Sequence, residues 1–152
     1  MTAKITIEDA SMIMFDDFYR IEQQCFQEEA FSKQQIGFLL LDYNTLSLAA
    51  RVDGELAGFI IARIDLTKNR LSGHIMTIDV GFSFRRMGVG QRLMMEAEAI
   101  FKQKGVEEVR LEVREGNAAA IALYEKMGYK KISRLEHYYG ESHGFYFRKT
   151  IP

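Results

Sequence analysis

The sequence predicts a layered α+β domain built on a mixed sheet. Two observations carry this. Hydrophobic residues switch along the chain between a period of two and a period near 3.6, in the order β-α-α-β-β-β-α-β-α-β-β. The length of 152 residues suits one domain, and twelve glycines against one proline, itself the last residue, mark no linker between the periodic segments. A single domain over residues 1–152 is expected, large enough to bury a core without disulfide or metal staples.

Lys4-Ile5-Thr6-Ile7-Glu8 alternates as a short strand. Over residues 11–26, Met14, Phe15, Phe18, Ile21, Glu22 and Cys25 fall at helical spacing, an apolar stripe interrupted at Glu22. Ser32, with Gln35 three residues on, has the capping-box pattern that starts a second helix, whose Ile36, Leu39 and Leu40 share a face. Residues 46–52 and 56–64 are β-rich and flank Asp53-Gly54, a pair favoured where both turn centres need positive φ. After the polar break Thr67-Lys68-Asn69-Arg70, residues 73–82 read as a strand. Residues 89–104 are helical, with Val89, Leu93, Met94, Ala97, Ile100 and Phe101 on one stripe and Gly105 as the stop. Val109, Leu111 and Val113 alternate with Arg110, Glu112 and Arg114 in the next strand. Asn117 is placed to cap a helix over residues 118–127 that Gly128 ends. Two last strands, about residues 130–137 and 144–150, are separated by Tyr138-Tyr139-Gly140-Glu141-Ser142.

Charge and cysteine content exclude several classes. Twenty Lys and Arg nearly balance 21 Asp and Glu, with no block of like charge, so the basic footprint of a nucleic-acid binder is missing. Cys25, the sole cysteine, makes no internal disulfide and fits a reducing cytoplasm. The N-terminal residues lack the apolar stretch of a signal peptide, and the longest purely apolar run, 118–124, falls far short of the roughly 20 residues that span a bilayer. No membrane partner is expected. His74, His137 and His143 have no cysteine at ligand spacing, and no metal is expected.

Arg85-Arg86-Met87-Gly88-Val89-Gly90 lies between a strand and the most amphipathic helix. A helix start has N–H groups without intrahelical partners and a partial positive charge, so it can hold phosphate. Glycines let the backbone approach the anion, and arginines add charge-assisted hydrogen bonds. A Walker A loop is excluded because no lysine follows Gly90; the dinucleotide fingerprint fails because Leu93 stands at its third glycine. What is left is Arg-x-x-Gly-x-Gly, or else a βα turn whose glycines serve packing alone.

Leu111-Glu112-Val113-Arg114 and then Asn117-x-x-Ala120-x-x-Leu123-Tyr124 follow that helix. In one register with the glycine loop, these motifs resemble the GNAT superfamily of acyl-CoA-dependent N-acetyltransferases. Within it they are similar to the RimI-type, ribosomal-protein-alanine group of protein N-terminal acetyltransferases. The likeness is densest over about residues 74–139 and weaker, though compatible in order, from residue 1. It implies an α/β/α-layered fold whose mostly antiparallel sheet splays between strands 73–82 and 109–114 to admit acetyl-CoA. It also implies that backbone groups of Ile78, Asp79 and Val80 bond the pantetheine and the thioester carbonyl. Arg85, with the main chain of Arg86, Met87, Gly88, Val89, Gly90 and Gln91, would hold the pyrophosphate. Asn117 would contact the pantetheine arm, and Tyr124 would lie by the sulfur. One departure is Phe82, where the family often has proline.

Acetyl transfer to an amine requires a neutral amine, support for the oxyanion and a proton for the departing thiolate. No covalent nucleophile is needed, and no Gly-x-Ser-x-Gly elbow is present, so direct attack in a ternary complex is expected. Glu112 matches the RimI-type catalytic glutamate and would act as general base, directly or through water. The competing reading is a strand carboxylate paired with Arg110 or Arg114. Tyr124 would protonate the thiolate or hydrogen-bond the sulfur; the competing reading is an aromatic packed under the sheet. An α-amine of pKa near 7.8 is roughly 14% neutral at pH 7 and a lysine amine about 0.04%, a gap of roughly 3.5 kcal/mol that favours the N-terminus of a protein or peptide. The resemblance adds ribosomal proteins as acceptors. Tyr138 and Tyr139 resemble the paired tyrosines that N-terminal acetyltransferases place between their last two strands, flanking the peptide. Phe31, in the segment 27–31 with Glu28 and Glu29, would form the opposite wall. Two alternatives stay open: a small-amine acetyltransferase acting on a polyamine, aminoglycoside or amino acid, and a regulatory acyl-CoA-binding module without chemistry.

Overall fold

A computed structural model describes residues 3–152; Met1 and Thr2, which begin the segment read for a leader, lie outside the described residues. Among those described are seven strands: β1 (Ile5–Asp9), β2 (Thr45–Val52), β3 (Glu55–Thr67), β4 (Arg70–Val80), β5 (Val106–Arg114), β6 (Lys130–Tyr139) and β7 (Ser142–Thr150). Four α-helices join them: α1 (Phe15–Phe26), α2 (Lys33–Leu41), α3 (Val89–Gln103) and α4 (Ala118–Lys126). Their order is the one that hydrophobic periodicity predicts, and the sheet is mixed and mostly antiparallel. The chain divides into two units, Met1–Arg63 with Met76–Ala97, and Ile64–Ile75 with Glu98–Pro152. Strands β3 and β4 and helix α3 run through both. Among the described residues no helix is long and apolar enough to cross a membrane.

In the first unit the strand order is β1-β2-β3-β4. The β2–β3 hairpin closes at Asp53 and Gly54, whose φ of 51° and 91° are the two positive values such a turn needs. Helix α1 is shorter than periodicity predicts. Residues Met12–Met14 form a 3-10 turn, and the Ser11 side chain makes no capping bond. The start of α2 is as expected: Ser32 Oγ accepts from the Gln35 N–H at 3.1 Å and Gln35 Oε1 accepts from the Ser32 N–H at 2.9 Å. The α1 stripe packs Phe18 flat on Phe59, ring centroids 4.0 Å apart, with Met14, Ile21, Ile36, Leu39 and Ile61 around them. Each such buried side chain contributes about 1.5–3 kcal/mol. Gly58 is required in β3 because a Cβ there would collide with the Asp79 carbonyl of β4.

In the second unit the order is β4-β5-β7-β6. The β4–β5 ladder is parallel, pairing Leu71 with Val106 through His74 with Arg110. Strand β5 then pairs antiparallel with β7 as far as Arg114 and Gly144. Gly73 leaves room for the fully buried Phe101 ring of α3, which would lie 3.0 Å from a Cβ at that position. Asn117 Oδ1 caps α4 by accepting from the Ala120 N–H at 3.2 Å. At the other end of α4, Lys149 Nζ donates to the Met127 carbonyl and to Glu98, both at 2.6 Å.

Two local expectations are corrected here. Lys68 and Asn69, read as a polar break, are a tight turn with φ of 51° and 62°, so β3 runs on to Thr67 and β4 starts at Arg70. Tyr138 and Tyr139 belong to β6 and are not a loop: Tyr139 pairs with Ser142 and the turn is Gly140-Glu141. His137, at φ 54°, interrupts the alternation within β6, which is why periodicity stops there.

Candidate active site

In the first unit the glycine segment leaves β4 through a 3-10 turn, Phe82–Phe84, and enters α3 at Val89. Arg86 and Gly88 have φ of 64° and 86°, and Arg86, Met87 and Gly88 are exposed. A Cβ at Gly88 would meet nothing within 4 Å, so the main chain there is open to a ligand. Buried Val89 anchors the helix start, and Arg92 N donates to the Gly88 carbonyl at 3.1 Å. The N–H groups of a first helical turn have no acceptors within their own helix, so this segment fits a pyrophosphate.

Arg85 is turned back toward β4. Its Nε donates to the Val80 carbonyl at 3.1 Å, its Nη2 lies 3.4 Å from Cys25 Sγ, and its guanidinium covers the Phe82 ring at 4.6 Å. Phe82, where the resemblance leads one to expect proline, is thus covered by a guanidinium. The Cys25 thiol donates to the same Val80 carbonyl at 3.4 Å. Burial, and then the Asp79 charge, push that thiol up to about 11.

Asp79 is buried beside Thr77 and Glu22. The Thr77 hydroxyl lies 2.6 Å from Asp79 Oδ1 and 2.9 Å from Glu22 Oε1. Burial first, then the Glu22 charge, hold the Asp79 carboxyl well above the usual carboxylate range. Glu22 Oε2 accepts the Phe31 N–H at 3.0 Å. Phe31 is half-buried against the apolar core of this unit.

In the second unit Glu112 stands on β5 opposite Tyr146 of β7. Its side chain is 15% exposed, and His74 Nε2 lies 2.8 and 3.0 Å from its two oxygens. The Tyr138 hydroxyl donates to Oε1 at 3.4 Å. Burial, and then the neighbouring Glu112 charge, raise the Tyr138 phenol above its ordinary value. On the same strand, Arg110 donates to Asp65 at 2.8 Å and to Ser72 at 3.0 Å, and Arg114 donates to Ser142 at 2.8 Å. Glu112 is held by an imidazole and a phenol.

The structure brings Glu112 and Tyr138 together, and Tyr139 packs edge-on against Tyr138 with centroids 4.9 Å apart. Tyr124 is buried on α4 with ring contacts to Tyr129 at 6.1 Å and Phe147 at 6.3 Å. His74 is the residue that sequence reasoning missed. Its only signal was position: the parallel β4–β5 register sets it beside Arg110, two residues before Glu112 on β5. Glu22 was noticed as a break in a stripe and not as a member of a buried network.

The first unit thus has an open glycine turn at a helix start, and the second a shielded carboxylate under an imidazole. Residues 11–129 match the acetyltransferase (GNAT) family, and the chain belongs to it. The chain is 36% identical over 116 residues to an N-alpha-acetyltransferase of Sulfurisphaera tokodaii, an alignment covering 70% of each protein. It is similar to the crystal structure of the ribosomal-protein-S18-alanine N-acetyltransferase from Escherichia coli. The TM-score is 0.86 at 25% identity, over 97% of this chain and 94% of that one. The structure of Arabidopsis thaliana NAA60 in complex with acetyl-CoA has the same fold, with a TM-score of 0.87 at 22% identity, over 97% of this chain and 99% of that one. This chain is an acetyl-CoA-dependent N-acetyltransferase.

Proposed function

We propose that the acceptor is the N-terminal α-amine of a protein or peptide, attacked directly, with Glu112 as general base and Tyr124 as general acid. The observation that carries the reading is the setting of Glu112, largely shielded from water and bonded by His74 and Tyr138. A carboxylate so held accepts a proton from an incoming ammonium and is kept in one orientation while it does so. His74 stiffens that orientation from the other strand.

Acetyl-CoA supplies the acetyl group as an activated thioester. The main chain of residues 86–91 holds its pyrophosphate, Ile78, Asp79 and Val80 hold the pantetheine through backbone groups, and Asn117 supports the arm. Tyr124 holds the proton that the departing sulfur takes. Tyr138, Tyr139 and Phe31 flank the first residues of the acceptor. In this reading residues 1–152 act as one catalytic domain in the cytoplasm, on protein N-termini that include ribosomal proteins. The names of the relatives support it, since the Sulfurisphaera tokodaii protein is an N-alpha-acetyltransferase and the Escherichia coli protein acts on the alanine of ribosomal protein S18.

The test uses paired peptides with acetyl-CoA, one with a free α-amine and one blocked at the N-terminus but carrying lysine. The free peptide is expected to react at least about 100-fold faster, in keeping with the roughly 2.6-unit gap in amine pKa. Equal rates would overturn the α-amine acceptor. Turnover of polyamines or aminoglycosides with none of peptides would move the reading to a small amine.

A further inference from the structure

Glu22 is the one charged side chain in the apolar stripe of α1, and it is 2% exposed. A buried carboxylate costs several kcal/mol unless its oxygens are bonded, and the surrounding core of Phe18, Ile21, Ile36 and Phe59 packs without it. Both oxygens have partners: Oε2 takes the Phe31 N–H and Oε1 lies against the Thr77 hydroxyl. Phe31 closes the connection between α1 and α2, which turns sharply at Gln27 with φ 48° and continues as a 3-10 turn through Glu29. Thr77 lies on β4 and is bonded in turn to Asp79. All of these residues belong to the first unit.

We propose that Glu22 is a positioning residue for acceptor selection, tying the main chain of Phe31 to Thr77 of β4 so that the acceptor wall stands at a fixed distance from the strand that presents the acyl group. The inference rests on the reading of Phe31 as part of the acceptor site. The link is short and stiff. One carboxylate spans a loop amide and a strand hydroxyl 46 positions apart in the chain, and the strand end continues through Asp79. A loop held at a single amide by a buried carboxyl group has little freedom to adapt, so the wall discriminates among first residues of the acceptor by shape.

The experiment compares Glu22→Gln, Glu22→Ala and Phe31→Ala, using peptides that differ in the first residue and amide exchange at Phe31. Glu22→Ala is expected to raise the peptide KM about 3- to 10-fold, the worth of one hydrogen bond, and to reorder the peptides. It should leave the acetyl-CoA KM within about twofold and speed exchange at Phe31 by a similar factor to the KM change. Glu22→Gln, whose carbonyl still accepts from Phe31, should restore both readouts. Where Glu22→Ala does not fold, Thr77→Val against Thr77→Ser cuts the link at its other end and should shift the peptide KM in the same direction. Unchanged exchange at Phe31 on cutting the link overturns the inference, and so does an equal rise in both KM values. Phe31→Ala separates the premise. If it leaves the peptide ranking intact, the acceptor-wall reading fails and the inference falls with it. If it reorders the peptides while Glu22→Ala does not, the inference alone fails.

Discussion

His74 Nε2 lies 2.8 and 3.0 Å from the two carboxylate oxygens of Glu112, so a histidine of β4 and a glutamate of β5 meet across a parallel ladder. Neither side chain is more than 16% exposed. A pair this shielded acts as a unit, and its members should not be separable by mutation.

Glu112→Gln is expected to lower kcat about 10²- to 10⁴-fold with little change in acetyl-CoA binding, the range found for a lost general base. His74→Gln should lower kcat by less. The double variant should be no worse than Glu112→Gln within about twofold, because residues in contact are non-additive. Steady-state rates of the four proteins check this, and additive losses would show that His74 and Glu112 work separately.

Tyr138 carries a phenol whose proton is held more tightly than usual by burial and by the Glu112 carboxylate. The raised value keeps the phenol neutral through the working range, so it contributes no alkaline loss of activity below about pH 10. Tyr138→Phe should therefore leave the alkaline side of the pH–rate profile unmoved while raising the peptide KM. A shift of that limb in the variant would mean that Tyr138 itself titrates during turnover.

Cys25 lies close enough to the β4 end to be mistaken for a nucleophile. With its thiol raised to about 11, the thiolate fraction near neutrality is about 100-fold below that of an ordinary cysteine. Iodoacetamide should label the folded protein at least about 100-fold more slowly than the denatured chain, and Cys25→Ser, which keeps a donor to the Val80 carbonyl, should retain activity. Loss of turnover in Cys25→Ser with an intact fold would instead favour an acyl-enzyme.

Asp79 gives stability a pH dependence of definite sign. Its raised value means that the folded state keeps a proton that the unfolded chain releases above about pH 3.9. Its contribution to stability is therefore whole below that pH and declines as pH rises toward the folded value. The groups facing it are Glu22, Thr77, Arg85 and Cys25. Asp79→Asn removes this slope and should be more stable than the parent at pH 8 but not at pH 4. Urea midpoints across that range measure it; parallel curves for the two proteins would show that Asp79 is ionised in the fold.

Much of this protein was legible from its sequence wherever a short stretch of chain satisfies itself. Ser32 with Gln35, Asn117 with Ala120, and Asp53-Gly54 are bonded or bent within three or four residues, and each has the predicted geometry. The stripe of Val89, Leu93, Met94, Ala97 and Phe101 is buried, because a helix's own period decides which face meets the core. The glycine loop and the Leu-Glu-Val-Arg strand were visible as residue types in a fixed order.

What the tertiary structure alone decided is who touches whom. Glu112 had Arg110 and Arg114 as near neighbours in sequence, yet its partners are His74, 38 residues away, and Tyr138, 26 away. Glu22 read as a flaw in a stripe until Thr77, 55 residues on, came to lie against it. Tyr138 and Tyr139 read as loop until pairing with β7 drew them into a strand. Local bonds are written in adjacent residues. The register of a parallel pair and the burial of a charge depend on segments far apart in the chain, whose contacts form only once the core has closed.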